Sequence, residues 1–189
     1  VQALTGGGRR PKPGEISLAT GGILFLDEFP EFSRAALETL RQPLEEREVT
    51  VSRVEASVTY PANFQLVAAM NPCPCGHFPD RSRCRCTDGQ ITRYLQKVSG
   101  PMLDRIDICV EASPITYGDI RSSGNNESSR EIRARVEQAR KIQGERFAGE
   151  NIRCNGEMSG RHIRKFCWLG REEEKFMEEI FKKLALSAR

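Results

Sequence analysis

Apolar residues fall in short blocks along the first half of the chain and recur at helical spacing along the second half. Ile23 to Leu26 is an uninterrupted apolar block entered through Gly21 and Gly22, the pattern of a parallel strand buried on both faces. Behind it Ala36, Leu37, Leu40 and Leu44 share one helical face after Ser33, whose hydroxyl suits an N-cap. One helix is therefore expected, ending near Arg47. The segment "VTVSRVEASVTY", residues 49–60, is rich in β-branched residues with polar ones interleaved, and predicts a hairpin turning near Val54 to Ala56. Phe64 to Met70 predicts a second buried strand, halted by Asn71-Pro72, and Ile106 to Val110 a third short one. Short apolar strands separated by helices predict an α/β core with a parallel sheet. Residues 1–20, rich in Gly, Pro and basic side chains, read as a loop.

Beyond Glu111 the pattern changes. "YGDIRSSGNNESSR" is a polar, Gly/Ser/Asn-rich linker, and highly charged helical sequence follows it. The expected organisation is a core over residues 1–115, a linker over 116–129 and a helical part over 130–189. In that last part Arg130 to Phe147 carries Ile132, Val136, Ala139 and Ile142 on one face. Ser159 to Trp168 and Glu172 to Leu186 read as two further helices.

Charge and composition narrow the picture only slightly. With 29 Lys and Arg against 26 Asp and Glu, the net charge of +3 is too small for whole-molecule attraction to a polyanion, so nucleic-acid contacts would need local patches. No stretch approaches the ~18 apolar residues of a membrane span, and the N-terminal residues lack the layout of a secretion signal. A cytoplasmic protein is the expectation. Seven cysteines, an odd number without a secretory signal, favour reduced thiols over a complete disulfide framework.

The chemistry lies where strands end. In open α/β sheets ligands bind beyond the carboxyl ends of the strands, so "ILFLDE" delivers Asp27 and Glu28 to a nucleotide-like position. Asp27 suits holding Mg²⁺ and Glu28 suits polarising an attacking water. Asn71, ending the second strand, is expected beside them with an amide able to orient water. In "SGPMLDRID" the alternative for Arg105 is a solvated ion pair with Asp104 or Asp107.

The segment "CPCGHFPDRSRCRC" sets Cys73, Cys75, Cys84 and Cys86 in two C-x-C pairs, a zinc-type donor set with His77 as an alternate ligand. The competing reading is unligated surface thiols. Cys109 and Cys167 read as ordinary buried residues, and Cys154 has no assigned place. Arg81, Arg83, Arg85, Arg93 and Lys97, with Tyr94 among them, form a basic cluster able to meet phosphates. Solvated faces or subunit ion pairs are the alternative. Arg161, His162, Arg164 and Lys165 make a second basic stretch, with His162 read as a surface helix residue.

The blocks "PGEISLATGGILFLDEFPEF", "LRQPLEEREVTVSR", "YPANFQLVAAMNPCPCG" and "SGPMLDRIDI" together resemble the magnesium-chelatase-like AAA+ ATPases, in particular their ComM/YifB competence-associated type. The resemblance is close over about residues 4–115 and looser to "LSAR" at the end. It implies a partial AAA+ P-loop core with a hairpin insertion and an α-helical lid, binding ATP and Mg²⁺. It further implies Asp27 and Glu28 as Walker B acids, Asn71 as the water-positioning sensor, Arg105 as an arginine finger reaching a neighbouring subunit, and Arg189 as the lid arginine. Such families work as rings, commonly hexamers, and this type is understood as a DNA translocase promoting branch migration in natural transformation; by analogy with related ring helicases, Arg53 near the expected hairpin tip is a candidate pore contact. One departure stands out: no G-x-x-x-x-G-K-[ST] occurs, and Gly6 to Gly8 are followed by Arg9-Arg10-Pro11. The phosphate-cradling loop is therefore expected ahead of Val1, with the isolated chain inactive. The other readings are a MoxR-like or chelatase-type remodeller of protein and a non-catalytic zinc or nucleic-acid binding module.

Overall fold

A computed structural model of the protein describes residues 1–8, 11–52, 57–113, 115, 117–121, 127–184 and 186. It divides into two units, residues 1–109 and 110–189.

The first unit begins with a short helix α1 (Gln2–Thr5), a strand pair β1 (Gly6–Gly7) and β2 (Lys12–Pro13), and a second short helix α2 (Glu15–Leu18). Gly6 has φ +95°, and a Cβ there would lie 2.1 Å from the Lys12 carbonyl oxygen, so only glycine fits the crossing. The predicted first strand is β3 (Ile23–Leu26). After it come α3 (Arg34–Glu38), α4 (Arg41–Glu46), β4 (Glu48–Ser52), β5 (Ser57–Pro61) and β6 (Gln65–Ala68). Helices α5 (Asp88–Leu95) and α6 (Gly100–Leu103) complete the unit. Strands β3 and β6 pair in parallel, Ile23 opposite Gln65 and Leu26 opposite Ala68. Strands β4 and β5 form the expected hairpin, Val51 opposite Val58, and its turn near Val54 to Ala56 lies outside the described residues, as does Arg53.

The core gathers on one side of the parallel pair. Leu24, Leu26, Phe29, Ala36, Leu37, Leu40, Val49, Val98 and Met102 are all buried in one cluster. Burying each of the larger side chains contributes about 1.5–3 kcal/mol.

Several expectations need correction. β3 is not buried on both faces: Ile23 and Phe25 are 62% and 59% exposed, because a two-stranded pair covered from one side leaves alternate side chains to solvent. β6 is likewise mostly exposed and shorter than the predicted 64–70. The single helix after Ser33 is two, with Thr39 and Leu40 between them. Ser33 does cap α3, accepting the Ala36 N–H at 3.3 Å, and Arg47 in a left-handed conformation ends α4. Residues 106–110 form no strand, since among the described residues no neighbour pairs with them; Ile108 and Val110 are 78% and 85% exposed. Cys109 and Cys167 are exposed rather than buried.

The second unit is helical: α7 (Tyr117–Arg121), α8 (Ser129–Arg146), α9 (Gly160–Phe166) and α10 (Arg171–Leu184). Ser128 and Glu131 form a capping box at the start of α8. The apolar face assigned to α8 is not buried, with Ile132, Val136 and Ile142 all exposed. Phe147, 2% exposed, meets Phe166 edge to face at 5.2 Å. Among the described residues no helix is long and apolar enough to cross a membrane.

Candidate nucleotide site and cysteine cluster

Parallel pairing brings the two polar strand ends together. The ladder continues past the strands, with the Ala69 N–H donating to Leu26 O at 3.0 Å and the Phe29 N–H donating to Ala69 O at 2.9 Å. Asp27 and Glu28 therefore leave β3 where Met70 and Asn71 leave β6, and all three candidate side chains, Asp27, Glu28 and Asn71, are exposed there. Asp27 Oδ1 accepts the Glu28 N–H at 2.8 Å, and Glu28 itself is left-handed (φ 50°, ψ 43°), a conformation that costs a non-glycine residue of order 1 kcal/mol or more. That kink turns the chain into the 3₁₀ turn Phe29–Glu31, whose Phe29 and Pro30 are buried. Two adjacent exposed carboxylates at one strand end offer the hard oxygen donors that magnesium takes together with phosphates.

Arg105 follows α6 but does not pair with Asp104 or Asp107. Its guanidinium donates to the Glu45 carboxylate on α4 and to the Pro101 carbonyl, its side chain is only 11% exposed, and its Nε is buried without a hydrogen-bond partner among the described residues. Arg189 lies outside the described residues.

The four cysteines converge. Cys73 and Cys75 Sγ lie 3.4 Å apart, Cys75 and Cys84 3.6 Å, Cys73 and Cys84 3.8 Å, and all four sulfurs, including that of Cys86, fall within 4.8 Å of one another. Tetrahedral zinc with Zn–S near 2.3 Å sets its sulfurs about 3.8 Å apart, so the donor set fits. His77 is outside this group. Electrostatics inside it conflict. Burial opposes ionisation of Cys73, but the Phe78 N–H at 3.4 Å and the neighbouring thiols bring its pKa down to about 6. Burial, then the Cys75 thiol, pushes Cys86 up to about 12. One thiolate forms readily and then resists its neighbours, a conflict that a bound cation removes.

Sequence reasoning passed over the residue between these two features. Tyr94, noted only as an aromatic within a basic run, is 5% exposed and follows the buried Ile91 by one turn on α5. Burial, then the Glu31 and Glu28 carboxylates, raise the phenol's pKa, and the nearby Asn71 backbone draws it down. Helical spacing to Ile91 was the available signal. Of the basic cluster, Lys97 pairs with Glu31 at 3.2 Å and lies over the Tyr94 ring, and Arg81 pairs with Asp88. Arg83, Arg85 and Arg93 are exposed. His162 Nδ1 accepts the Ser159 N–H at 3.0 Å, capping α9.

Comparison with known proteins gives this arrangement a class. Residues 1–120 match the family model "Magnesium chelatase, subunit ChlI" and residues 126–189 its C-terminal counterpart, so the chain belongs to the magnesium-chelatase ChlI family, which implies an AAA+ type α/β fold. Among curated relatives it is 47% identical to competence protein ComM of Haemophilus influenzae and 46% identical to YifB of Escherichia coli, in each case over the whole chain. It is 28% identical to the magnesium-chelatase 67 kDa subunit of Heliobacterium mobile over 75% of its length. The chain spans 36% of the length of the first of these relatives, 37% of the second and 20% of the third.

Proposed function

We propose that the protein containing this chain is an AAA+ ATPase that works as a hexameric ring and moves on DNA during natural transformation. One observation carries the reading: a parallel strand pair presents Asp27, Glu28 and Asn71 together at its carboxyl end. Asp27 would hold Mg²⁺, which when bound neutralises phosphate charge. Glu28 polarises the attacking water, the Asn71 amide orients it, and Arg105 reaches the nucleotide of the next subunit, with Arg189 as the lid arginine. Residues 130–189 serve as the lid. The four cysteines hold one zinc ion, for which their number, softness and mutual spacing are suited. The DNA assignment draws on the likeness to a competence protein and on the exposed Arg83, Arg85 and Arg93. The likeness to a magnesium-chelatase subunit favours a second reading, a remodeller of a protein partner.

The test uses the full-length protein. Glu28→Gln should retain ATP binding and lose turnover, whereas Asp27→Asn should weaken Mg²⁺-dependent binding as well. Wild-type turnover in Glu28→Gln would refute the assignment. Stimulation by DNA separates the motor from a remodeller, whose ATPase responds to a protein partner and ignores DNA.

A further inference from the structure

The cysteine cluster joins the turn that carries the candidate water-positioning residue to the start of α5. From one side, Asn71 and Cys73 are separated only by Pro72, and the turn that follows folds back, with the Gly76 N–H donating to Cys73 O at 3.0 Å. A Cβ on Gly76 would lie 3.8 Å from Asn71 Cγ and 3.9 Å from its Oδ1, so the Cys75-Gly76 turn flanks the amide itself. From the other side, Cys86 directly precedes Thr87, which caps α5 through a capping box with Gln90. Ile91 of the same helix packs on Cys73 and Cys84, and the buried Tyr94 follows one turn later. Arg81 fastens the loop to this helix start by donating to Cys86 O at 3.0 Å and pairing with Asp88.

This region has little else to hold it. Its buried cluster consists of Cys73, Cys84 and Ile91, with Phe78 and Cys86 partly buried against them, separate from the main core. So small a cluster cannot order residues 73–86 by apolar burial alone, and the thiol contacts between its members are weak hydrogen bonds. A tetrahedral metal bond set supplies that order and closes the loop at both ends at once.

We infer that zinc on Cys73, Cys75, Cys84 and Cys86 is the fastener that holds Asn71 in place at the exit of β6, making these cysteines positioning residues for ATP turnover. The inference rests on the nucleotide-site and zinc assignments proposed above. The Cys75-Gly76 turn fixes the Asn71 side chain from one end of the cluster, and Cys86 fixes the start of α5 from the other.

The experiment uses full-length protein purified without chelator, with metal content, hydrogen exchange and ATPase measured on the same samples. The expected result is about one zinc per chain from this site. Removal of zinc, or Cys84→Ser with Cys86→Ser, should raise exchange roughly tenfold or more in peptides covering residues 71–76 and 88–95, leaving β3 and β4 protected. It should lower kcat about ten- to a hundredfold with ATP affinity changed by less than about twofold, the response of a displaced positioning group. Returned zinc should restore the wild type and not the cysteine variant. Protein that carries no zinc overturns the metal assignment and the inference with it. Zinc that can be removed with exchange at 71–76 and kcat unchanged overturns the inference and leaves the metal assignment standing. Loss of protection throughout the first unit also overturns it, since the ion would then support the whole unit. If the full-length protein hydrolyses no ATP, the enzyme assignment falls while the exchange data still decide whether zinc holds Asn71 in place.

Discussion

Arg105→Ala separates two roles that differ by orders of magnitude. In this structure the guanidinium is a tether, joining Glu45 on α4 to the Pro101 carbonyl with the side chain 11% exposed. Truncation removes two charge-assisted hydrogen bonds. Glu45, 42% exposed, keeps its access to water, and the truncation also removes the unpartnered Nε, whose burial itself costs about 1–3 kcal/mol. These terms largely offset, and a partly exposed ion pair is worth ~0–1 kcal/mol, so the net loss of stability should be about 1 kcal/mol. For a unit of this size that is a fall in melting temperature of roughly 4–8 °C. A finger acting on a neighbouring subunit's nucleotide instead supplies ~10³ to 10⁵ in rate, or about 4–7 kcal/mol of barrier. Thermal unfolding and steady-state ATPase on the same full-length variant therefore decide the matter. The expected outcome is a small thermal shift, near-normal ATP affinity and turnover lowered at least ~10³-fold. Mixing Arg105→Ala subunits with Glu28→Gln subunits should restore activity, since some interfaces then join an intact acid to an intact arginine. Normal turnover in Arg105→Ala would mean that the tether to Glu45 is its whole role. Activity never recovered on mixing, with subunit exchange demonstrated, would place the arginine in cis.

Other consequences follow from the same packing. Leu40 is fully buried between α3 and α4, so Leu40→Ala should destabilise the first unit by about 2–5 kcal/mol in urea unfolding, and a loss under ~1 kcal/mol would contradict its place in the core. Ser128→Ala removes the side-chain acceptor of the α8 capping box and should cost about 1 kcal/mol, read as lost helicity on heating. Glu38 is held below its ordinary value of 4.5 by the Ser99 hydroxyl at 2.7 Å, then by Arg41. A depressed carboxylate stabilises the fold above its unfolded pKa and loses that contribution as pH falls through the folded value. Stability should therefore drop below about pH 4.5, and Glu38→Gln should flatten the drop; an unchanged acid profile would show that Ser99 and Arg41 do not hold this carboxylate.

What the chain announces in advance depends on whether a signal is local. Ser33 and Arg47 mark their helix ends by capping and left-handed geometry, and both lie where the pattern puts them. The acids after Leu26 and the asparagine after Met70 were legible because a strand's end needs only its own residues to be recognised. Whether a strand forms at all is another matter. Ile106 to Val110 has the composition of a strand but no partner among the described residues, and composition carries no information about partners. The same gap explains β3, where an apolar run signals burial while the two-stranded pair covers one face only. Pairings across long separations were also invisible: nothing near Arg105 points to Glu45, sixty positions earlier, while Asp104 and Asp107 stood close by.

The cysteines show how far spacing alone can mislead and where geometry takes over. A C-x-x-C turn aims both sulfurs inward through one tight loop, and neither pair here has that spacing. The structure reaches the same end by another route. The Gly76 turn, left-handed at φ +78°, folds Cys75 back over Cys73, while the Asp80 carbonyl accepts the Cys84 N–H at 2.8 Å and returns the second pair to the first. Two short-range turns thus do what the longer spacing does elsewhere, and they do it beside Asn71. A cluster placed for stability alone would serve equally well anywhere on the surface. One built into the exit of the strand that ends in Asn71, with its far pair opening the helix that carries Tyr94, makes the order of the candidate site depend on the order of the cluster. Gly76→Ala isolates that dependence: a side chain at φ +78° strains the turn without removing a sulfur, so zinc should remain while exchange at Asn71 rises. Retained zinc with unchanged exchange would show that the turn is not the link between the two.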